Sequence, residues 1–92
     1  MKLNLYATFR LLAGTKSAEI DLPAGATIRQ AVSALIERYP TLRRHWLDDQ
    51  GELHAHVHVF VNGEDLLNLE QGLETPLADN AVLDFFPPVG GG

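Results

Sequence analysis

The sequence contains no cysteine. Disulfides, thiolate metal sites, iron–sulfur clusters and cysteine nucleophiles are thereby excluded together. Positive charge is also scarce, with seven Lys and Arg against twelve Asp and Glu and a formal net charge of −5. Only Arg43 and Arg44 are adjacent, so the basic stripe of a nucleic-acid binder is missing. The expected partner is another protein, one with a basic surface, and not nucleic acid. No window is apolar over the length that a bilayer span requires. The opening "MKLNLYATFR" has neither the apolar run nor the small-residue cleavage site of a signal peptide. A cytoplasmic protein without membrane attachment is therefore expected.

What is present suits one small domain. Apolar residues make up 46% of the chain and charged residues 21%, ordinary for a globular protein and too apolar for disorder. Leu3, Leu5, Ala7 and Phe9 alternate with polar neighbours, which predicts a strand through Phe9. After Gly14-Thr15, the alternation of Ala18, Ile20 and Leu22 predicts a second strand, paired with the first as a hairpin. Thr27 and Gln30 have the spacing of a capping box, and Ile28, Ala31, Val32, Leu35, Ile36 and Tyr39 form one apolar stripe of a helix closed by Pro40. Residues 41–53 supply a short helical turn in which Leu42 and Trp46 cover the end of the core. Val57, Val59 and Val61 alternate in a third strand, Asn62-Gly63 turns the chain, Leu66 to Leu69 reads as a short edge strand, and Ala81 to Phe86 as the last.

One helix for about five strands must lie across one face of the sheet, where its stripe is buried. The order predicts an α+β roll of the β-grasp, or ubiquitin-like, kind, with a mixed sheet. The crossing from the second strand through the helix to the third predicts a parallel arrangement. The domain is expected over residues 1–86 and an extended tail over 87–92.

That tail carries the most specific chemistry. Pro87 and Pro88 hold the backbone extended and stiff, and Val89 adds one apolar grip. Gly90, Gly91 and Gly92 have no Cβ and fit a channel too narrow for side chains. At the tip the functional group is the α-carboxylate of Gly92. A carboxylate on a thin arm suits activation by an ATP-dependent enzyme, with the chemistry in the partner. No acid/base pair or oriented nucleophile marks a free-standing enzyme.

At these residues the sequence resembles the MoaD/ThiS family of ubiquitin-like sulfur carriers. Tyr6-Ala7 with Arg10, Leu12 and Gly14 is similar to the family opening, and "LADNAVLDFFPPVGGG" to its ending. The resemblance is strongest to molybdopterin synthase small subunits. It implies that the Gly92 carboxylate is adenylated by an E1-like adenylyltransferase and converted to a thiocarboxylate. A persulfide enzyme would donate the sulfur, and the large synthase subunit, of MoaE type, would receive it for the molybdopterin dithiolene. It implies no permanently bound cofactor, since ATP is used by the activating enzyme. Leu53-His54, "VNGED" at 61–65 and "GLET" at 72–75 are also similar to the sulfur carrier of cysteine biosynthesis. Protein modification through the same carboxylate, tRNA thiolation and a stand-alone binding module remain alternatives.

His54, His56 and His58 would share one strand face if pairing ran that far, which raises a zinc site; without cysteines or an evident further ligand, a solvated face or an interface is favoured and no metal is expected. By strand parity Tyr6, His58, Phe60 and Phe86 point away from the helix. Such an aromatic cluster marks a protein interface, and the resemblance implies docking on partner enzymes through it and the tail. Arg10 matches the family opening without a role that spacing assigns.

Overall fold

A computed structural model describes residues 1–88. Five strands, β1 (Lys2–Leu5), β2 (Ser17–Glu19), β3 (His58–Val61), β4 (Glu64–Asp65) and β5 (Val82–Phe86), form one sheet in the order β2-β1-β5-β3-β4. Three helices accompany them: α1 (Thr8–Ala13), α2 (Ile28–Arg38) and α3 (Arg43–Trp46). The central pair β1·β5 is parallel, while β1·β2, β3·β5 and β3·β4 are antiparallel. This is the mixed sheet of a β-grasp roll.

The strands divide their side chains by parity. Leu3, Leu5, Val59, Val61, Leu83 and Phe85 are buried on one face, where the stripe of α2, Ile28, Ala31, Val32, Leu35 and Ile36, meets them. The capping box that opens α2 is formed: the Gln30 N–H donates to Thr27 Oγ1 at 3.2 Å and the Thr27 N–H to Gln30 Oε1 at 2.8 Å. Leu42 and Trp46 close the end of the core, fully buried, with Trp46 stacked on Phe85 at 4.7 Å and edge-on to Phe9 at 5.3 Å.

Two expectations are corrected and one is refined. The first strand stops at Leu5, because Ala7 turns the backbone with φ 52° and ψ −127° and residues Thr8–Ala13 become α1. Phe9 is buried from that helix and not from a strand; β1 and β2 pair antiparallel as expected, but α1 lies in the connection between them. Its end is a left-handed cap at Gly14, φ 75°, whose N–H donates to Arg10 O at 2.9 Å. Second, β2 and β3 run in the same direction, as expected from the crossing through α2, and the structure adds that β1 and β5 lie between them, so that the hydrogen-bonded parallel pair is β1·β5. Third, Leu66–Asn68 is a 3-10 turn. The Asp65 carboxylate accepts from the Leu67 N–H at 2.9 Å and starts that turn, leaving Glu64–Asp65 as the edge strand.

Both sheet edges are short. β4 has two residues and β2 three, and at β2 the Arg38 guanidinium donates to Glu19 O at 2.9 Å.

Candidate functional site

On the sheet face opposite α2, β5 presents Val82, Asp84 and Phe86. The register sets His58 opposite Phe86 and Phe60 opposite Asp84 on one side, and Asn4 opposite Asp84 on the other. Tyr6 lies one residue beyond β1, and its N–H still donates to Phe85 O at 3.2 Å. Its ring stacks on Phe86 with centroids 4.2 Å apart and planes 11° apart. Phe60 meets Phe86 edge-on at 5.7 Å and 86°. Such pairs contribute about 0.5–1.5 kcal/mol each beyond the area they bury. Tyr6, His58, Phe60 and Phe86 are all half-buried, so each keeps surface for a partner.

Asp84 locks this platform. Its Oδ1 accepts from Asn4 Nδ2 at 2.9 Å and from the Tyr6 hydroxyl at 3.0 Å. The hydrogen bond to Asp84, with burial and the Asp84 charge adding to it, raises the Tyr6 pKa above its ordinary value, while the Arg10 guanidinium pulls it down. The phenol therefore stays a neutral donor with a fixed ring orientation. A ring fixed before binding loses little freedom on binding. Sequence parity finds the aromatic residues but not Asp84 or Asn4. Their signal is the outward position of a carboxylate between two aromatic strands.

Pro87 is half-buried and Pro88 exposed, so the chain leaves the sheet directly from the platform at Phe86. The expected tail residues Val89, Gly90, Gly91 and Gly92 lie outside the described residues.

The histidines do not share a strand face. β3 begins at His58, and His54 and His56 precede it in a turn where their rings stack at 4.6 Å. His56 Nε2 lies 3.2 Å from His45 O. Among the described residues, no group of three or more His, Cys, Asp or Glu is placed to hold a metal ion. No helix among them is long and apolar enough to cross a membrane.

A mixed five-stranded roll around one principal helix, with its last strand leaving from an aromatic platform, defines the ubiquitin-like class of protein. The chain belongs to the ThiS family, whose model matches residues 3–92. It is 35% identical over 92 residues to small archaeal modifier protein 1 of Haloferax volcanii, covering 100% of both chains. The crystal structure of that modifier aligns with a TM-score of 0.88 at 33% identity, over 99% of this chain and 97% of that one. Sulfur carrier protein CysO of Mycobacterium tuberculosis is 32% identical over 71 residues, 75% of each chain. A putative molybdopterin converting factor subunit 1 of Pyrococcus furiosus aligns with a TM-score of 0.74 at 29% identity, over 96% and 95% of the two chains. The family thus joins ubiquitin-like sulfur carriers and modifiers.

Proposed function

We propose that this protein is a sulfur carrier, the small subunit of a molybdopterin synthase, whose reactive group is the carboxylate of Gly92. The observation that carries this reading is the continuity of platform and tail: Tyr6, Phe60 and Phe86 form one outward cluster, and Pro87-Pro88 follow Phe86 without an intervening turn. An enzyme seated on the rings then meets, directly after Phe86, two prolines whose rings stiffen the backbone. Such placement converts a diffusional encounter into a local one.

The chemistry belongs to the partners. In an E1-like adenylyltransferase a Gly92 carboxylate oxygen attacks the α-phosphorus of ATP, pyrophosphate leaves, and an acyl-adenylate forms. The terminal sulfur of an enzyme persulfide displaces AMP, breaking the C–O bond and forming C–S. A second thiol then cleaves the acyl disulfide, leaving a thiocarboxylate here and a disulfide on the donor. The large synthase subunit takes that sulfur into the dithiolene. This chain binds, orients and carries, and holds no cofactor of its own.

The similarity to small archaeal modifier protein 1, 35% identity over the whole of both chains, favours a second reading, in which a lysine amine attacks the same adenylate and an isopeptide bond results. The intact mass of the protein isolated from its own cells, before reduction or alkaline treatment, separates the two. A species heavier by the difference between sulfur and oxygen, on the Gly92 fragment, is expected. An unmodified Gly92 together with lysine-linked adducts would replace the carrier with the modifier. Deleting Gly91 and Gly92 should abolish either activity; activity surviving that deletion would reduce the protein to a binding module.

A further inference from the structure

Beside the aromatic platform, on the same sheet face, lies a depression of about 140 Å³ lined by Lys2, Asn4, Tyr6, Arg10, Lys16 and Ser17. It gathers three of the seven Lys and Arg of a chain whose net charge is −5. The sequence spreads these cations over three elements, and the fold collects them. Lys2 stands on β1, Lys16 directly before β2, and Arg10 on α1, from which its Nε reaches back to Leu5 O at 3.4 Å. All three are exposed, and none forms an ion pair among the described residues. Arg29, by contrast, pairs with Glu74 at 2.6 Å and Glu52 at 3.2 Å.

Two carboxylates border the depression. Asp84 already accepts two hydrogen bonds at its Oδ1, and Glu19 stands across from Lys2 in the register. Three cations therefore face two carboxylates here, where the whole chain has twelve Asp and Glu for seven Lys and Arg. On an acidic protein this is a local reversal of sign, directly continuous with the rings through Tyr6. We propose that this depression receives carboxylate side chains of the activating enzyme, so that the docking face has an apolar half and a cationic half. The inference rests on the reading of the outer face as the surface that meets that enzyme. It also reverses the sequence expectation of a basic partner for this half of the face. Charges at an interface rim govern association rate and its salt dependence more than final affinity, and arginine matches a carboxylate with a two-pronged fork.

The test compares two charge reversals, Lys2→Glu/Lys16→Glu in the depression and Arg43→Glu/Arg44→Glu on α3, which packs on the other side of the sheet. Each takes the net charge from −5 to −9, two reversals of two units, so net charge is held equal. Association with the purified E1-like adenylyltransferase is followed by stopped flow across a range of salt, with far-UV circular dichroism as the check on folding. The depression variant should associate about tenfold more slowly at low salt and lose the difference at high salt, while the α3 variant stays near wild type. Equal rates for all three proteins, equal slowing by both reversals, or faster association of the depression variant would overturn the inference. So would a loss confined to the large synthase subunit. Wild-type protein that fails to bind the adenylyltransferase at all would sink the carrier reading itself. Lys16→Glu alone avoids the like-charge pair that Lys2→Glu makes with Glu19 and keeps the test open if the double variant unfolds.

Discussion

Ala7 is the one non-glycine apart from Asn62 with a positive φ among the described residues. Its φ of 52° and ψ of −127° are a conformation that costs about 1–3 kcal/mol for a residue with a Cβ. The surroundings impose it, because β1 must leave the sheet at Tyr6 and α1 must begin at Thr8, with the Phe9 N–H donating to Tyr6 O at 3.1 Å. Glycine adopts this geometry freely, so Ala7→Gly should raise urea-unfolding stability by about 1 kcal/mol after its added chain entropy; a loss would show that the residue is unstrained. Nothing in an alanine announces a positive φ, which is why the alternating pattern extends through Phe9 on paper and not in the fold. Tyr6 gives a second residue-scale prediction. A pKa raised in the folded state marks a contribution that is complete below the unfolded value, near 10, and lost as pH rises through the folded one. In a Tyr39→Phe background, the ultraviolet titration of Tyr6 should therefore move to lower pH when Asp84→Ala removes the acceptor; an unmoved titration would mean that the bond to Asp84 is not what holds the phenol neutral.

Elements were legible in proportion to their length. The eleven residues of α2 repeat the apolar spacing over three turns and carry their own cap, so both the helix and its start can be read directly. Thr27→Ala should cost about 1 kcal/mol in thermal or denaturant unfolding, and a neutral result would assign the N-terminus of α2 to packing alone. The six residues of α1 offer only Phe9, Leu12 and Ala13 at helical spacing, and Phe9 also fits the alternation that begins at Leu3. Two periods explain it equally well, and tertiary burial of Phe9 decides between them. Leu66 to Leu69 fails as a strand for another reason: a local hydrogen bond from the Leu67 N–H to the Asp65 carboxylate gives the backbone a partner that the sheet would otherwise supply.

At the scale of the molecule, patterning identifies the roll, the face of each strand and the antiparallel β1·β2 pair, but not the remaining strand neighbours. The neighbours of β5, the pairing of Asp84 with Asn4 and Tyr6, and the convergence of Lys2, Arg10 and Lys16 depend on contacts far apart in sequence. The candidate site is accordingly half legible: its rings follow from parity, its polar lock and its charge only from topology. The core is one unit, and Trp46 is its largest fully buried side chain. Trp46→Ala should cost about 3–5 kcal/mol, a large share of the roughly 5–15 kcal/mol available to a domain, and would lower the thermal midpoint accordingly. Trp46→Phe should cost far less, since it also removes the indole N–H that is buried without a partner among the described residues.

The short margins of the sheet bear on life at high concentration. A long bare strand at a sheet margin templates its neighbours into fibrils. Here one outermost strand is two residues long, and the other is three with a carbonyl already held by Arg38. Copies crowded together find almost no backbone ladder to extend, so encounters between them are left to side chains that are mostly negative and mutually repelling.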